Sequence, residues 1–151
     1  MSLELKINED IKTAMKAKAE ATLRSLRAIK AEILKAKTAE GFSGSLSEDD
    51  EIKILTRMLK QRRDSLSVYQ SQQRADLAAK EQEEIAVIES FMPQQLSADE
   101  LKTALQAIIA ELGAAGPKDM GKVMGVASKK FAAVADGKLV AETVKQLLNN
   151  A

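Results

Sequence analysis

Two clusters of basic side chains are the residues best suited to chemistry, and the chemistry they suit is phosphate binding. The first holds five cations within eleven residues: Lys53, Arg57, Lys60, Arg62 and Arg63. On a helix, such side chains can form a ridge that contacts phosphate groups. They can equally form a solvated face that pairs with glutamates at helical spacing. The sequence leaves both interpretations open for this cluster.

The second cluster lies in the segment Lys118–Gly125, which reads KDMGKVMG. Its two glycines, Gly121 and Gly125, are four residues apart, and each costs a helix about 1 kcal/mol relative to alanine. A bare glycine face permits close approach, either of a neighbouring helix or of a nucleic-acid backbone. From Lys118 onward the chain has six lysines and three acidic residues, and this local excess of positive charge could suit an RNA backbone.

The composition removes most catalytic chemistry, because the chain has neither cysteine nor histidine. Thiolate nucleophiles, histidine general bases and most transition-metal sites are therefore excluded. Gly121-Lys122 lacks the rest of a P-loop, and Asp136-Gly137-Lys138 lacks the repeated oxygen ligands of a cation loop. We predict no catalytic residue, no metal and no cofactor. The net charge of +1 gives no global indication of nucleic-acid binding.

The N-terminal segment has no apolar core of the kind found in signal peptides, and no window approaches the apolar length of a membrane span. We therefore expect a cytoplasmic protein without a membrane partner.

Helical periodicity and helix-end signals predict the elements that position these clusters. Pro93 should end one helix, and Ser97 with Glu100 has the spacing of a capping box that begins the next. Apolar spacing of three and four places Met15 and Leu34 on the inward stripes of the first two helices. The predicted helices cover about 2–18, 20–39, 48–71, 74–92, 97–113 and 118–131, with a last helix ending near 149. The predicted fold is all-α, with an N-terminal helical bundle built on a long hairpin (1–93) and a small three-helix module (94–151).

One charged residue interrupts the apolar stripe of the third helix. That stripe comprises Ile52, Leu55, Leu59, Leu66 and Tyr69. Its spacing calls for an apolar residue at position 62, where the chain has Arg62. A buried arginine requires a carboxylate partner. We predict that Glu81 or Glu84 of the fourth helix faces it.

Several motifs in register resemble the YqeY family. They are Lys60–Ser65 (KQRRDS), Phe91–Ser97 (FMPQQLS), Lys118–Gly125 (KDMGKVMG) and Ala135–Lys138 (ADGK). Their order and spacing match, and the similarity covers essentially the whole chain. The second half is similar to the tail domain of the B subunit of the glutamine-dependent aspartyl/glutamyl-tRNA amidotransferase. Related domains are fused to some glutaminyl-tRNA synthetases. The resemblance implies an all-α protein that ends in a GatB/YqeY-type tail domain.

The resemblance also implies a role, because the tail domain of the amidotransferase helps to hold tRNA while the chemistry occurs elsewhere. The tRNA-facing candidates it implies are Lys118, Gly121, Lys122, Gly125, Lys129, Lys130 and Lys138. A second basic surface, formed by Lys60, Arg62 and Arg63, would contact another surface or a protein partner. The expected function is a non-catalytic, tRNA-associated accessory protein, whose partners are tRNA and an aminoacyl-tRNA synthetase or amidotransferase. Two alternatives stay open: an RNA-independent protein-interaction adaptor, and a contributor to carbon–nitrogen ligase activity with glutamine as amide donor.

Overall fold

A computed structural model describes residues 1–150, of which 76% are helical, with no strand in that range. The predicted all-α fold class is confirmed. The helices are α1 (Leu3–Ala17), α2 (Glu20–Lys37), α3 (Glu48–Ser71), α4 (Ala75–Glu89), α5 (Ala98–Leu112), α6 (Met120–Lys130) and α7 (Gly137–Asn149), with a short 3-10 helix at Pro117–Asp119. The chain divides into a first compact unit, Met1–Met92, and a second unit that begins at Pro93.

Local end signals account for where several helices begin and end. The Ser47 and Ser97 side chains cap α3 and α5, and each makes a capping box with the acidic residue three positions later. In the second box, the Ser97 hydroxyl accepts from the Glu100 amide at 3.1 Å. Gly113 ends α5 in the left-handed conformation, with φ of 63°. The predicted capping box at Ser97 is therefore confirmed.

The core of the first unit is built from leucine and isoleucine on all four helices. Its buried residues are Leu3, Ile7, Ala14, Leu26, Ile29, Ile33, Ile54, Leu55, Met58, Leu59 and Ile88. Helix α4 packs against both α2 and α3, and α1 packs against α2. Because each fully buried leucine or isoleucine stabilises the fold by roughly 1.5–3 kcal/mol, these contacts hold the four helices together.

Two predicted core residues are instead exposed. Met15 is 55% exposed while Ala14 is buried, and Leu34 is 46% exposed while Ile33 is buried. Consecutive helical residues point about 100° apart, so a small rotation of the helix against its neighbour selects one of two adjacent apolar residues. On α3 the predicted Leu55 is buried as expected.

The second unit has its own core between α5, α6 and α7. The buried residues are Leu101, Leu105, Ile108, Val123, Ala127, Phe131, Val140, Val144 and Leu148. Asp136 is the N-cap of α7, and its Oδ1 accepts from the Lys138 amide at 3.4 Å. Helix α7 consequently begins at Gly137. Val140 of this helix is buried, whereas the adjacent Leu139 is 37% exposed.

Candidate nucleic-acid interface

Two polar residues of the KDMGKVMG segment fix the connection between α5 and α6. Asp119 Oδ2 accepts from the Ala115 amide at 2.9 Å, and Lys122 Nζ donates to the Leu112 carbonyl at 3.1 Å. The Ala115 amide is the main reason that the pKa of Asp119 lies below its ordinary value, and the Gly116 amide adds to this effect. Lys122 stands at the negative end of the α5 dipole. Both side chains therefore stabilise the loop from which α6 starts.

One face of α6 is exposed and contains two glycines between its lysines. We define the α6 face as Lys118, Gly121, Lys122, Gly125 and Lys129, which recur at intervals of three and four residues and are all exposed. A Cβ atom built on Gly121 or Gly125 would have no atom within 4 Å among residues 1–150. Close packing of these glycines against a neighbouring helix, one of the two alternatives, is therefore wrong for the described chain.

The lysines of the α6 face differ in what they already contact. Lys118 and Lys129 form no ion pair with any residue in 1–150. Lys122 is held by the Leu112 carbonyl. Lys130 lies beside this face, with its Nζ 5.9 Å from the centroid of the Phe131 ring. Lys138 is on the first turn of α7, so five of the seven implied tRNA-facing residues share one face.

The FMPQQLS segment anchors the connection between α6 and α7. Gln95 Nε2 donates to the Pro93 carbonyl at 3.0 Å and to the Ala133 carbonyl at 2.9 Å. The Leu96 amide donates to the Val134 carbonyl at 2.8 Å. This role of Gln95 was not predicted from the sequence. No local pattern could reveal it, because Ala133 is 38 residues away in the chain.

A protein-family model described as a Yqey-like protein matches residues 4–148 of this chain. The chain belongs to the YqeY family. Comparison with curated proteins finds no match.

In this YqeY-family protein, the second predicted basic surface on α3 is largely occupied by ion pairs. Arg62 pairs with Glu84 at 3.0 Å and with Glu81 at 3.6 Å, and its side chain is 33% exposed. The predicted carboxylate partner of Arg62 is therefore confirmed. Arg63 pairs with Glu89 at 3.0 Å, whereas Lys60 is exposed and forms no ion pair within residues 1–150. Two of the three side chains thus have acidic partners on α4.

Glu84 connects three helices of the first unit. It accepts from Arg62 of α3 and, at 3.2 Å, from Nε of Arg24 on α2. The hydrogen bond to Glu84 is the main reason that the pKa of Arg24 lies above its ordinary value. The neighbouring Glu81 is 8% exposed, and its Oε2 has no hydrogen-bond partner in the described chain. This charge cluster fixes α2, α3 and α4 relative to one another.

Two further observations bear on the described chain as a whole. In residues 1–150, no group of three or more aspartate, glutamate, cysteine or histidine side chains is arranged to hold a metal ion. None of the helices in this range combines the length and the apolar character that crossing a bilayer requires.

Proposed function

We propose that this YqeY-family protein is a non-catalytic accessory protein that binds tRNA through the α6 face. The observation that carries the proposal is the exposure of Gly121 and Gly125 beside Lys118 and Lys129, which form no ion pair within residues 1–150. Each glycine lowers the stability of the helix without gaining a packing contact. A helix with such residues on its surface suits a ligand whose backbone approaches the helix closely.

The arrangement suits a ribose–phosphate backbone. Lys118 and Lys129 stand at the two ends of the α6 face, roughly three helical turns apart. Ammonium groups at that separation can contact different phosphates, while the glycines leave space for the sugars between them. The net charge of the whole chain is only +1, so local contacts and not a global field would provide the affinity.

The resemblance of the second half to the amidotransferase tail domain supports tRNA as the nucleic acid. In this proposal the chain holds tRNA, and a partner such as an aminoacyl-tRNA synthetase or amidotransferase in the cytoplasm carries out the chemistry. Lys130, which follows Lys129 on α6, and Lys138, on the first turn of α7, would add further contacts. On the second basic surface, formed by Lys60, Arg62 and Arg63, Lys60 is the one side chain without an acidic partner in residues 1–150. We therefore assign that surface a minor part in binding.

The test is binding of tRNA at a series of salt concentrations, measured by fluorescence anisotropy with the full chain. We expect the logarithm of the binding constant to fall linearly with the logarithm of salt concentration. Lys118→Ala combined with Lys129→Ala should reduce that slope by roughly one for each lysine. The matched control is Lys12→Ala combined with Lys80→Ala, which removes the same charge from exposed positions of the first unit.

Three results would count against the proposal. They are no binding of tRNA at low salt, a binding constant that does not change with salt concentration, and equal effects of the α6-face variant and the control variant. An unstructured RNA of the same length serves as competitor. If it displaces tRNA with equal affinity, the α6 face binds phosphate backbones without selecting tRNA.

A further inference from the structure

An open groove of about 590 Å³ runs between the second half of α2 and the part of α3 from Asp50 to Gln61. Apolar side chains line it, namely Ala36, Phe42, Leu46 and Ile54. Ile54 is buried, whereas Phe42 and Leu46, from the segment that connects the two helices, are half-buried. The groove therefore offers an apolar surface that the first unit does not cover.

Three cations border this groove, and Arg57 is the one of them that forms an ion pair within residues 1–150. Lys35 and Lys53 are exposed and form no ion pair within residues 1–150. Arg57 reaches Glu32 on the other helix at 3.5 Å, and its own side chain is 58% exposed. An exposed ion pair of this length contributes little to stability.

Asp50, the other acidic side chain of the groove, already accepts hydrogen bonds from Ser47. Asp50 accepts from the Ser47 amide at 3.2 Å and from the Ser47 hydroxyl at 2.8 Å. These hydrogen bonds hold the pKa of Asp50 below its ordinary value, so the carboxylate stays charged in its capping box. The charge of Lys53 also lowers the pKa of Asp50, but neither Lys53 nor Lys35 forms an ion pair within residues 1–150, so an incoming anionic group can still reach both ammonium groups.

We infer that this groove binds an acidic amphipathic helix of a partner protein. Along α3 the lining extends from Asp50 to Gln61, which at about 1.5 Å per residue is roughly 16 Å, or three turns of a docked helix. Apolar residues of the partner at positions i, i+3, i+4 and i+7 would lie on the apolar lining. Its carboxylates would meet Lys53 and Arg57, one turn apart on α3, and Lys35 on the facing helix. A carboxylate that reaches Arg57 would replace Glu32.

The groove suits a peptide helix better than RNA or a small anionic amphiphile. Glu32 and Asp50 would repel a continuous phosphate backbone, whereas separate carboxylates on a helix can address separate cations. Small-molecule sites enclose most of their ligand, but this groove is open along its length. The inference does not depend on tRNA binding, since every lining residue lies in the first unit and none belongs to the α6 face.

The test uses a fluorescent synthetic peptide of about 14 residues, long enough to cover the roughly 16 Å groove. It carries leucine at helical spacing on one face and glutamate on both flanks. Two control peptides replace every glutamate by lysine, or scramble the order at constant composition. Anisotropy with the full chain gives the affinity, and amide chemical-shift changes in ¹⁵N-labelled protein locate the site.

We expect the acidic helix to bind and both control peptides to fail. Lys35→Glu combined with Lys53→Glu should weaken binding by about tenfold, and Phe42→Ala should weaken it without changing charge. The matched variant, Lys12→Glu combined with Lys80→Glu, has the same net charge and should bind as the unaltered chain does. Circular dichroism would show that each variant retains its helix content.

The inference is overturned if the acidic helix does not bind at concentrations up to about 1 mM. Equal binding of the lysine peptide, shift changes outside the groove, or the same shifts on addition of laurate or RNA would also overturn it. Binding of tRNA by the Lys35→Glu, Lys53→Glu variant should be unchanged. A failure of the groove inference therefore leaves the test of the proposed function intact.

Discussion

Arg62 of α3 donates from its Nε to Oε2 of Glu84 on α4 at 3.0 Å, although its position belongs to an apolar stripe. Its remaining contact is with Glu81 at 3.6 Å. The arginine thus faces two carboxylates that are themselves buried, and its replacement affects both.

We predict that Arg62→Met lowers the free energy of unfolding by about 1–2 kcal/mol and that Arg62→Glu lowers it by about 3 kcal/mol. Methionine keeps the packing of the arginine stem, whereas glutamate adds a third carboxylate to the cluster. Urea unfolding followed by circular dichroism measures the difference. The interpretation of Arg62 as a buried charge partner is wrong if Glu is tolerated as well as Met.

Gly121→Ala and Gly125→Ala should each stabilise α6 by about 0.5–1 kcal/mol. The reason is that alanine is the better helix former and its Cβ meets no atom at either position within the described chain. Thermal unfolding of the single and double variants measures this gain. Gly121→Leu should fold as well as Gly121→Ala but bind tRNA more weakly, because its side chain would project from the α6 face. Intact tRNA binding by Gly121→Leu would remove the proposed role of that glycine.

Gln95→Ala should destabilise the second unit by about 1–2 kcal/mol, because it leaves the Ala133 and Pro93 carbonyls without the donor that joins them. Gln94→Ala is the matched control, since this neighbouring glutamine is exposed and makes no side-chain hydrogen bond in residues 1–150. Hydrogen exchange at the α6–α7 connection would report the local effect. Equal stability of the two variants would refute an anchoring role for Gln95.

The lowered pKa of Asp119 predicts that the stability of the fold depends on pH. Its pKa in the folded chain lies below the ordinary value of 3.8, so its contribution is fully present above that value and is lost as pH falls through the folded pKa. Asp119→Asn should therefore be less stable than the unaltered chain at neutral pH, and the difference should shrink as the solution is acidified below 3.8. Urea unfolding at several pH values gives this comparison. A difference that stays constant down to low pH would show that the carboxylate charge contributes nothing.

The ion pairs show which contacts could be predicted from the sequence and which could not. The apolar spacing of α3 placed Arg62 on an inward stripe, so a glutamate partner on the next helix could be predicted. The part played by Arg24 could not, because it meets Glu84 across 60 residues of chain. The α3 cluster was left with two interpretations, and only the packing of α4 showed that Arg62 and Arg63 already face glutamates.

By itself the sequence determined approximately where the helices begin and end, the absence of cysteine and histidine chemistry, and the family. These follow from interactions within a turn or two of helix, such as the capping boxes at Ser47 and Ser97, or from composition alone. Only the tertiary structure decided that Ala14 and not Met15 is buried, that Lys122 is held at the end of α5, and that the two glycines of α6 are exposed. The physical reason is that burial and ion pairing depend on the rotation and separation of whole helices, which are set by contacts between residues far apart in the chain.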